Sequence, residues 1–172
     1  MKKVLLFVLT IGLFTFTSCS EDNGVEALEV INGRWDLEDI QIMGSTDFNG
    51  ISMTMEGSIS SLSGDNFIVF NNDNTSNSVS GNVVMDFTIT MPGMPPITQS
   101  QAVEGDFFEN GTWDKQGNKI SITPDSTQET YVLDIEEFSS SKLVLSSDEA
   151  TLMDIEGMES FSEMNVKMIL VR

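Results

Sequence analysis

From Gly33 to Arg172 the chain repeats one pattern: short runs in which every second residue is apolar, separated by turn-forming residues, with no window of twelve or more at helical spacing. A period of two puts alternate side chains on opposite faces of an extended strand, so the pattern excludes amphipathic helices and calls for sheet. Val83, Met85, Phe87 and Ile89 against Val84, Asp86, Thr88 and Thr90 form the clearest run. Ile51, Met53 and Met55 obey the same rule, as do Tyr131, Leu133 and Ile135, then Leu143 and Leu145, then Met164, Val166, Met168 and Leu170. Trp35 and Leu37 are followed by Ile40 and Ile42 in the opposite parity, which predicts a bulge at Glu38-Asp39.

The punctuation is as regular as the runs. Residues 44 to 50 read as a polar loop, and Ser63-Gly64-Asp65-Asn66 and Asn71-Asn72-Asp73-Asn74 as turns. Phe67 to Phe70 is a continuous apolar run, suited to a strand buried on both faces. Three prolines within Met91 to Pro96 end the next strand, and Ile97 to Val103 pairs back on it. Phe107 and Phe108 open a strand that runs through Trp113 to a tight hairpin at Lys115-Gln116-Gly117-Asn118. Ile120 and Ile122 return to Pro124, Ser139 to Ser141 turn the chain again, and the acidic stretch from Asp148 to Glu159 reads as a loop or a short helix. Eight to ten short strands with no helical crossover pair antiparallel. The expected fold is all-β, an antiparallel up-and-down barrel, with a curled β-sandwich as the alternative.

The first eighteen residues are of another kind. Met1, Lys2 and Lys3 precede a run from Val4 to Phe16, 13 residues long, where a membrane span needs about 20. A cationic start and a short apolar core read as a secretory signal. The sequence Phe16-Thr17-Ser18-Cys19-Ser20-Glu21-Asp22 then resembles the lipobox of bacterial lipoproteins, in the looser form of Bacteroidota with Phe16 in the usual place of Leu. The resemblance implies acylation of Cys19 and cleavage before it, and the acidic residues after Ser20 resemble that group's surface-export signal. Residues 1–18 are thus expected to be a lipoprotein signal peptide, 19–32 a lipidated cysteine and tether, and 33–172 the folded domain. The expected location is the outer membrane, facing the periplasm or the cell surface, with the membrane as a partner through the acyl chains.

Composition removes several functions. Beyond residue 18 there remain six Lys and Arg against 27 Asp and Glu, a difference of −21, so nucleic acid is no partner, since phosphate binding needs clustered cations. Cys19 is the only cysteine, and no disulfide can staple the domain. Histidine is absent, which removes the commonest general base and metal ligand. The carboxylates of Asp134, Glu136 and Glu137 lie on a solvent face by alternation, so no catalytic residue is predicted. Asn71, Asp73, Thr75 and Asn77 place oxygens at alternate positions as calcium loops do, but a single carboxylate and Ser76 in place of Gly make this a plain turn. Met53 and Met55 share a strand face, and Met91 and Met94 flank a Pro-Gly loop. Such sulfur atoms suit Cu(I), but thioethers more commonly fill irregular apolar space, and no metal or other cofactor is predicted.

Two segments share a pattern: Gly33-Arg34-Trp35-Asp36 and Gly111-Thr112-Trp113-Asp114. With Phe70-Asn71-Asn72-Asp73-Asn74 between them, and Ser141-Lys142-Leu143-Val144-Leu145 after them, the run from about residue 30 to 147 resembles the bacterial lipocalin-like lipoprotein domains. That resemblance implies that Trp35 plugs the closed end of a barrel and that a late basic side chain, Lys167 or Arg172, covers it. Gly33, Trp35 and Gly111 are accordingly assigned structural roles. An eight-stranded barrel is just wide enough to be filled by side chains or to hold one small ligand. The resemblance and the pliable methionines point to non-covalent binding of a small hydrophobic or lipid-like molecule, with Met53, Met55, Met85, Phe87, Trp113 and Tyr131 facing it. The alternative is a solid barrel whose loops at 44–50, 91–96 and 148–160 meet a surface protein or glycan.

Overall fold

The computed structural model describes residues 31–103, 108–148, 161 and 163–172. The signal segment, Cys19, most of the tether, Phe107 and nearly all of the 148–160 stretch lie outside the described residues. Eleven strands are described: β1 Gly33–Phe48, β2 Ile51–Ser63, β3 Phe67–Phe70, β4 Thr75–Val79, β5 Asn82–Thr90, β6 Ile97–Val103, β7 Gly111–Gln116, β8 Lys119–Pro124, β9 Tyr131–Phe138, β10 Lys142–Ser147 and β11 Glu163–Val171. Every pairing is antiparallel, and β11 closes back on β1 from Asp36↔Val171 to Ser45↔Glu163. The closed ring is β1-β3-β4-β7-β8-β9-β10-β11, an eight-stranded barrel.

β2, β5 and β6 stand outside that ring because two long strands break in the middle. β2 pairs with the upper part of β1, from Phe48↔Ile51 to Gln41↔Ser58, and β3 continues in the same direction against its lower part, from Asp36↔Phe67 to Gly33↔Phe70. β4 and β5 repeat the arrangement one strand further on. Between the halves, Asn66 holds the break: its carbonyl accepts from Leu37 N at 2.9 Å, and its Oδ1 accepts from Gly81 N at 2.8 Å. The lower halves close the barrel, while β2-β5-β6 form a flap on the upper part of β1.

The predicted bulge is present as a register shift between Leu37 and Asp39. Residues 44 to 48, expected in a polar loop, instead continue β1, and only Asn49 and Gly50 turn the chain, with φ of 54° and 80°. Successive positive φ values are what a two-residue hairpin needs to match strand twist, and pairing with β2 throughout and with β11 as far as Ser45 holds the polar strand end extended. β3 buries one face only, Ile68 and Phe70, while Phe67 lies under the Arg34 guanidinium, 3.8 Å from its ring centre. Phe108 is buried but precedes the next strand, which starts at Gly111. A Cβ on Gly111 would lie 2.2 Å from the Thr123 carbonyl, so any side chain there would push β7 away from β8.

The barrel's lower end is closed by one cluster. Trp35 is fully buried, and its Nε1 donates to the Ile31 carbonyl at 2.7 Å. The Arg172 guanidinium lies 3.9 Å above the indole centre and donates from Nη2 to the same Ile31 carbonyl at 3.0 Å and to that of Asn32. Arg172, and not Lys167, is therefore the cover. Gly33 makes room for it: φ is +118°, and a Cβ there would meet Nη2 at 3.3 Å. Phe138 meets the Trp35 ring edge-on at 6.3 Å. Burying a ring of this size contributes roughly 4–6 kcal/mol in transfer terms. A planar guanidinium both stacks and donates in fixed directions, whereas an ammonium does not. Urea unfolding should therefore show Arg172→Ala losing about 1–3 kcal/mol, with Arg172→Lys recovering less than half of the loss.

Candidate functional site

Alternation along β1, β2 and β11 carries Ile42, Met55, Met164 and Val166 into the core. The interior is filled. Trp35, Ile40, Ile68, Phe70, Met85, Ile120, Ile122, Leu133, Leu143 and Leu145 are all at most 1% exposed. Phe70 and Trp113 stack with ring centres 4.9 Å apart, and the Trp113 indole donates to the Asn71 carbonyl at 3.2 Å. The turn below them is held by Asp73, whose Oδ1 accepts from Thr75 N at 3.1 Å and Thr75 Oγ1 at 2.6 Å. These bonds keep the Asp73 carboxyl below its usual range, and Asn74 takes the left-handed φ of 63° that the turn requires. The oxygen-rich loop is thus a self-satisfied turn.

Open space lies at the upper rim, where a groove of about 600 Å³ runs across the adjoining ends of β2, β1 and β11. Its described lining is Met43, Gly44 and Ser45 from β1, Thr54, Met55 and Glu56 from β2, Glu163, Met164 and Asn165 from β11, and Asp148 just beyond β10. The register places Met43, Ser45, Thr54, Glu56, Glu163 and Asn165 on the outer face of the sheet, where Met43 is 54% exposed, and Gly44, Met55 and Met164 on the inner face, so Met55 and Met164 border the groove through their strands while their side chains are buried in the core. Phe161 packs against Gly44 and Met55 from within. The polar rim is ordered by short bonds: Ser45 Oγ donates to Glu163 Oε2 at 2.9 Å, and Asn165 Nδ2 to Asp148 Oδ1 at 2.8 Å.

Of the six residues expected to face a ligand, Met55 borders this groove through its strand, with its side chain turned into the core. Met53 is half-buried two residues away on the same face, and Met85 and Phe87 are buried behind, the Phe87 ring against Gly57 and Ile42. Trp113 belongs to the packed cluster with Phe70. Tyr131 is half-buried opposite Ile122, on the β8–β9 side of the barrel. The structure therefore brings together the methionines of β2 and β5 but not the two larger aromatics. Met43, Glu56, Asp148, Met164 and Glu163 were missed as a group because they come from strands whose adjacency depends on closure of the barrel. The Asn49-Gly50 pair was the available signal, since it extends β1 and β2 far enough to create the rim.

Charge is unevenly distributed about this site. No Lys or Arg occurs in residues 35–114 or 143–166, which together supply the whole described lining. The cations lie toward the lower end and are engaged there: Arg34 with Asp36, Lys119 with Asp134, Lys142 with Glu137 and Lys167 with Glu136, all within 2.5–2.8 Å. The hydrogen bond from Lys167 holds the Glu136 carboxyl below its usual range. Such pairs are exposed and add little to stability, but they leave the groove end with acidic charge alone.

A family model described as the lipocalin-like domain matches residues 31–145, more than half of the chain. No curated protein and no solved structure matches it.

Tyr131 offers a direct test of packing beside the barrel mouth, since it is the only tyrosine. Burial, with a smaller contribution from the Glu109 carboxylate, pushes its hydroxyl up to about 12. The native state therefore holds its proton where the unfolded chain, near pH 10, has released it, and stability falls as pH rises from about 10 toward 12. Absorbance at 295 nm should show tyrosinate appearing near pH 10 in denaturant and well above it in the native protein. Tyr131→Phe should flatten the loss of melting temperature over that range.

Proposed function

The chain belongs to the lipocalin-like domain family, and from that premise we propose that it is an envelope lipoprotein, held by acyl chains on Cys19, whose barrel binds a small apolar molecule without chemical change. The observation that carries this reading is the groove of about 600 Å³ across β2, β1 and β11, with the Met43 thioether exposed on it. Small-molecule sites are clefts of roughly 300–1,000 Å³ with mainly apolar walls and a few polar groups. Methionine suits such a wall because its unbranched side chain repacks around an irregular guest. The barrel interior holds packed side chains, so the ligand sits on the sheet near the upper rim and not in the middle of the barrel.

Position along β1 adds an orientation. The chain enters at Ile31 and Gly33, whereas the groove is centred on Gly44, eleven residues higher on the same strand. At about 3.3 Å per residue that is roughly 36 Å along the strand. A tether of residues 19–32 thus attaches to the closed end, and the groove opens away from the anchoring membrane into the periplasm or the medium.

A second reading has one observation behind it. Met94 and Ile97, at and just after the Pro-rich loop, are 54% and 43% exposed, an apolar tip suited to contact with a surface protein or glycan. It predicts that partner capture depends on the 91–96 loop and not on the groove.

Two measurements test the main reading. Cells fed labelled palmitate should label the wild-type chain and not Cys19→Ser, and the variant should leave the membrane fraction. Met43→Trp, which fills the groove from its exposed side, should weaken 1-hexanol binding at least about tenfold, or 1.4 kcal/mol, with little change in melting temperature. If native mass spectrometry of the extracted lipoprotein reveals no bound small molecule and 1-hexanol is not retained at all, the binding reading fails.

A further inference from the structure

Closure of the ring joins β11 to β1 and leaves β6, Ile97–Val103, as the terminal strand of the described sheet. Among the described residues it pairs with β5 alone, in unbroken register from Val83↔Val103 to Ile89↔Ile97. Ile97, Thr98, Gln99, Ser100 and Ala102 are all exposed, so the strand is open to solvent on both faces as well as along its edge. Native edges are blunted by charge, proline, a bulge or shortness. β6 has seven residues and none of these devices. Residues 87–103 contain no Asp, Glu, Lys or Arg, the longest uncharged stretch beyond residue 20. In so acidic a chain, the β5–β6 hairpin is where a second copy meets the least repulsion.

The order of the strand itself indicates the occupant. Ile97-Thr98-Gln99-Ser100-Gln101-Ala102-Val103 reads nearly alike from either end about Ser100. Two copies related by a two-fold axis place residue i opposite j and j opposite i. An axis at Ser100 sets Ile97 against Val103, Thr98 against Ala102 and Gln99 against Gln101, so apolar residues meet at both ends and glutamines in the middle. Ile97, 43% exposed, gains an apolar neighbour in this way. The outer face of β6 is already tied to β5, by Thr88 and Thr98 hydroxyls 2.9 Å apart and by Ser100 Oγ donating to Asp86 Oδ1 at 2.5 Å. The Asp86 carboxylates of the two copies would stand three strand spacings apart, roughly 14 Å, beyond the screening length of about 8 Å. We propose that β6 pairs with β6 of a second copy, antiparallel about Ser100, joining two barrels through one continuous sheet. The pairing does not depend on the groove.

Mild oxidation of cysteine variants of the full chain, purified in dodecylmaltoside, tests the axis. Position 100 would face its own copy with Cα atoms roughly 4.5–5.5 Å apart, within reach of a disulfide. Position 98 would lie four residues from its copy, roughly 13 Å along the strand. Ser100→Cys should therefore form a linked dimer at least about tenfold faster than Thr98→Cys, with the unmodified chain, which carries Cys19 alone, as the blank. Adding Gln99→Glu and Gln101→Glu to the Ser100→Cys chain opposes like charges across the axis and should slow linkage at least about threefold. Gln99→Lys with Gln101→Glu opposes unlike charges in this register only, and should restore the rate. Equal linkage at positions 98 and 100 shows random collision, and linkage at neither shows no pairing; each overturns the proposal. If the cysteine variants do not fold, sedimentation equilibrium of the unmodified chain carries the test, and a monomer at every concentration overturns it. Oxidation in cells that links position 100 to another protein in place of a second copy assigns the edge to a foreign strand and overturns it as well.

Discussion

Closure of the ring between the first and last strands is the constraint on which the rest depends. β1 is the only strand with three described partners, taking β11 along one edge and β2 and β3 in succession along the other. A sheet without that closure would expose the edges of two long strands, which invites pairing between molecules. Closure is secured by the carboxy-terminal arginine. Arg172 follows β11 directly, lies on Trp35 of β1, and shares the Ile31 carbonyl with the indole. The two ends of the domain thus meet at a single buried oxygen. That oxygen accepts two donors, one of them charged, in a place where an unmet donor would cost about 1–3 kcal/mol.

The break in the long strands lets one sheet do two things. Below Asn66 the strands are short, paired on both sides and packed around Trp35, Phe70 and Trp113. Above it, β2, β5 and β6 leave the ring and carry a face of Met55, Met85 and Phe87 over the top of the core. The lower part therefore holds the arginine–tryptophan closure, and the upper part supplies the rim beside which the groove lies. A groove at the rim costs little core packing; a cavity of similar size in the middle would remove contacts from many buried side chains at once.

Much of this was legible in the residues. The parity change at Glu38-Asp39 gave the bulge because inward positions must stay inward. Asn74 stood where a left-handed turn was needed, and Trp35 was placed at a strand start beside a glycine. What was not legible depended on partners distant in sequence. Gly44, Ser45, Thr46 and Asp47 have turn-like composition, yet β2 pairs with all four and β11 with the first two, and these ladders hold them extended, a tertiary effect that outweighs local preference. The choice between Lys167 and Arg172 depended on parity and register: Lys167 falls on the outer face of β11, level with Gln41, while Arg172 follows the last paired residue and bends over the barrel's end. Register also explains the groove, since Glu56, Met43 and Asn165 are neighbours only because β2, β1 and β11 pair as they do.

The same register accounts for the distribution of charge. With a formal difference of −21 beyond the signal segment, uniform acidity would repel the whole body from an anionic membrane surface. Instead the six cations of the domain lie toward the end where the chain enters, and four of them are engaged with carboxylates there. The opposite end carries Asp47, Glu56, Asp148 and Glu163 without compensation. Screening confines these fields to about 8 Å at physiological salt, so only the face nearest a membrane feels it. With the chain held through Cys19 as proposed, the end that holds the cations can come closer to lipid headgroups than the rim can, because any tilt that brings the rim toward them is opposed by uncompensated carboxylates. The electrostatics therefore keep the groove facing outward on a short tether without requiring any specific contact between barrel and bilayer.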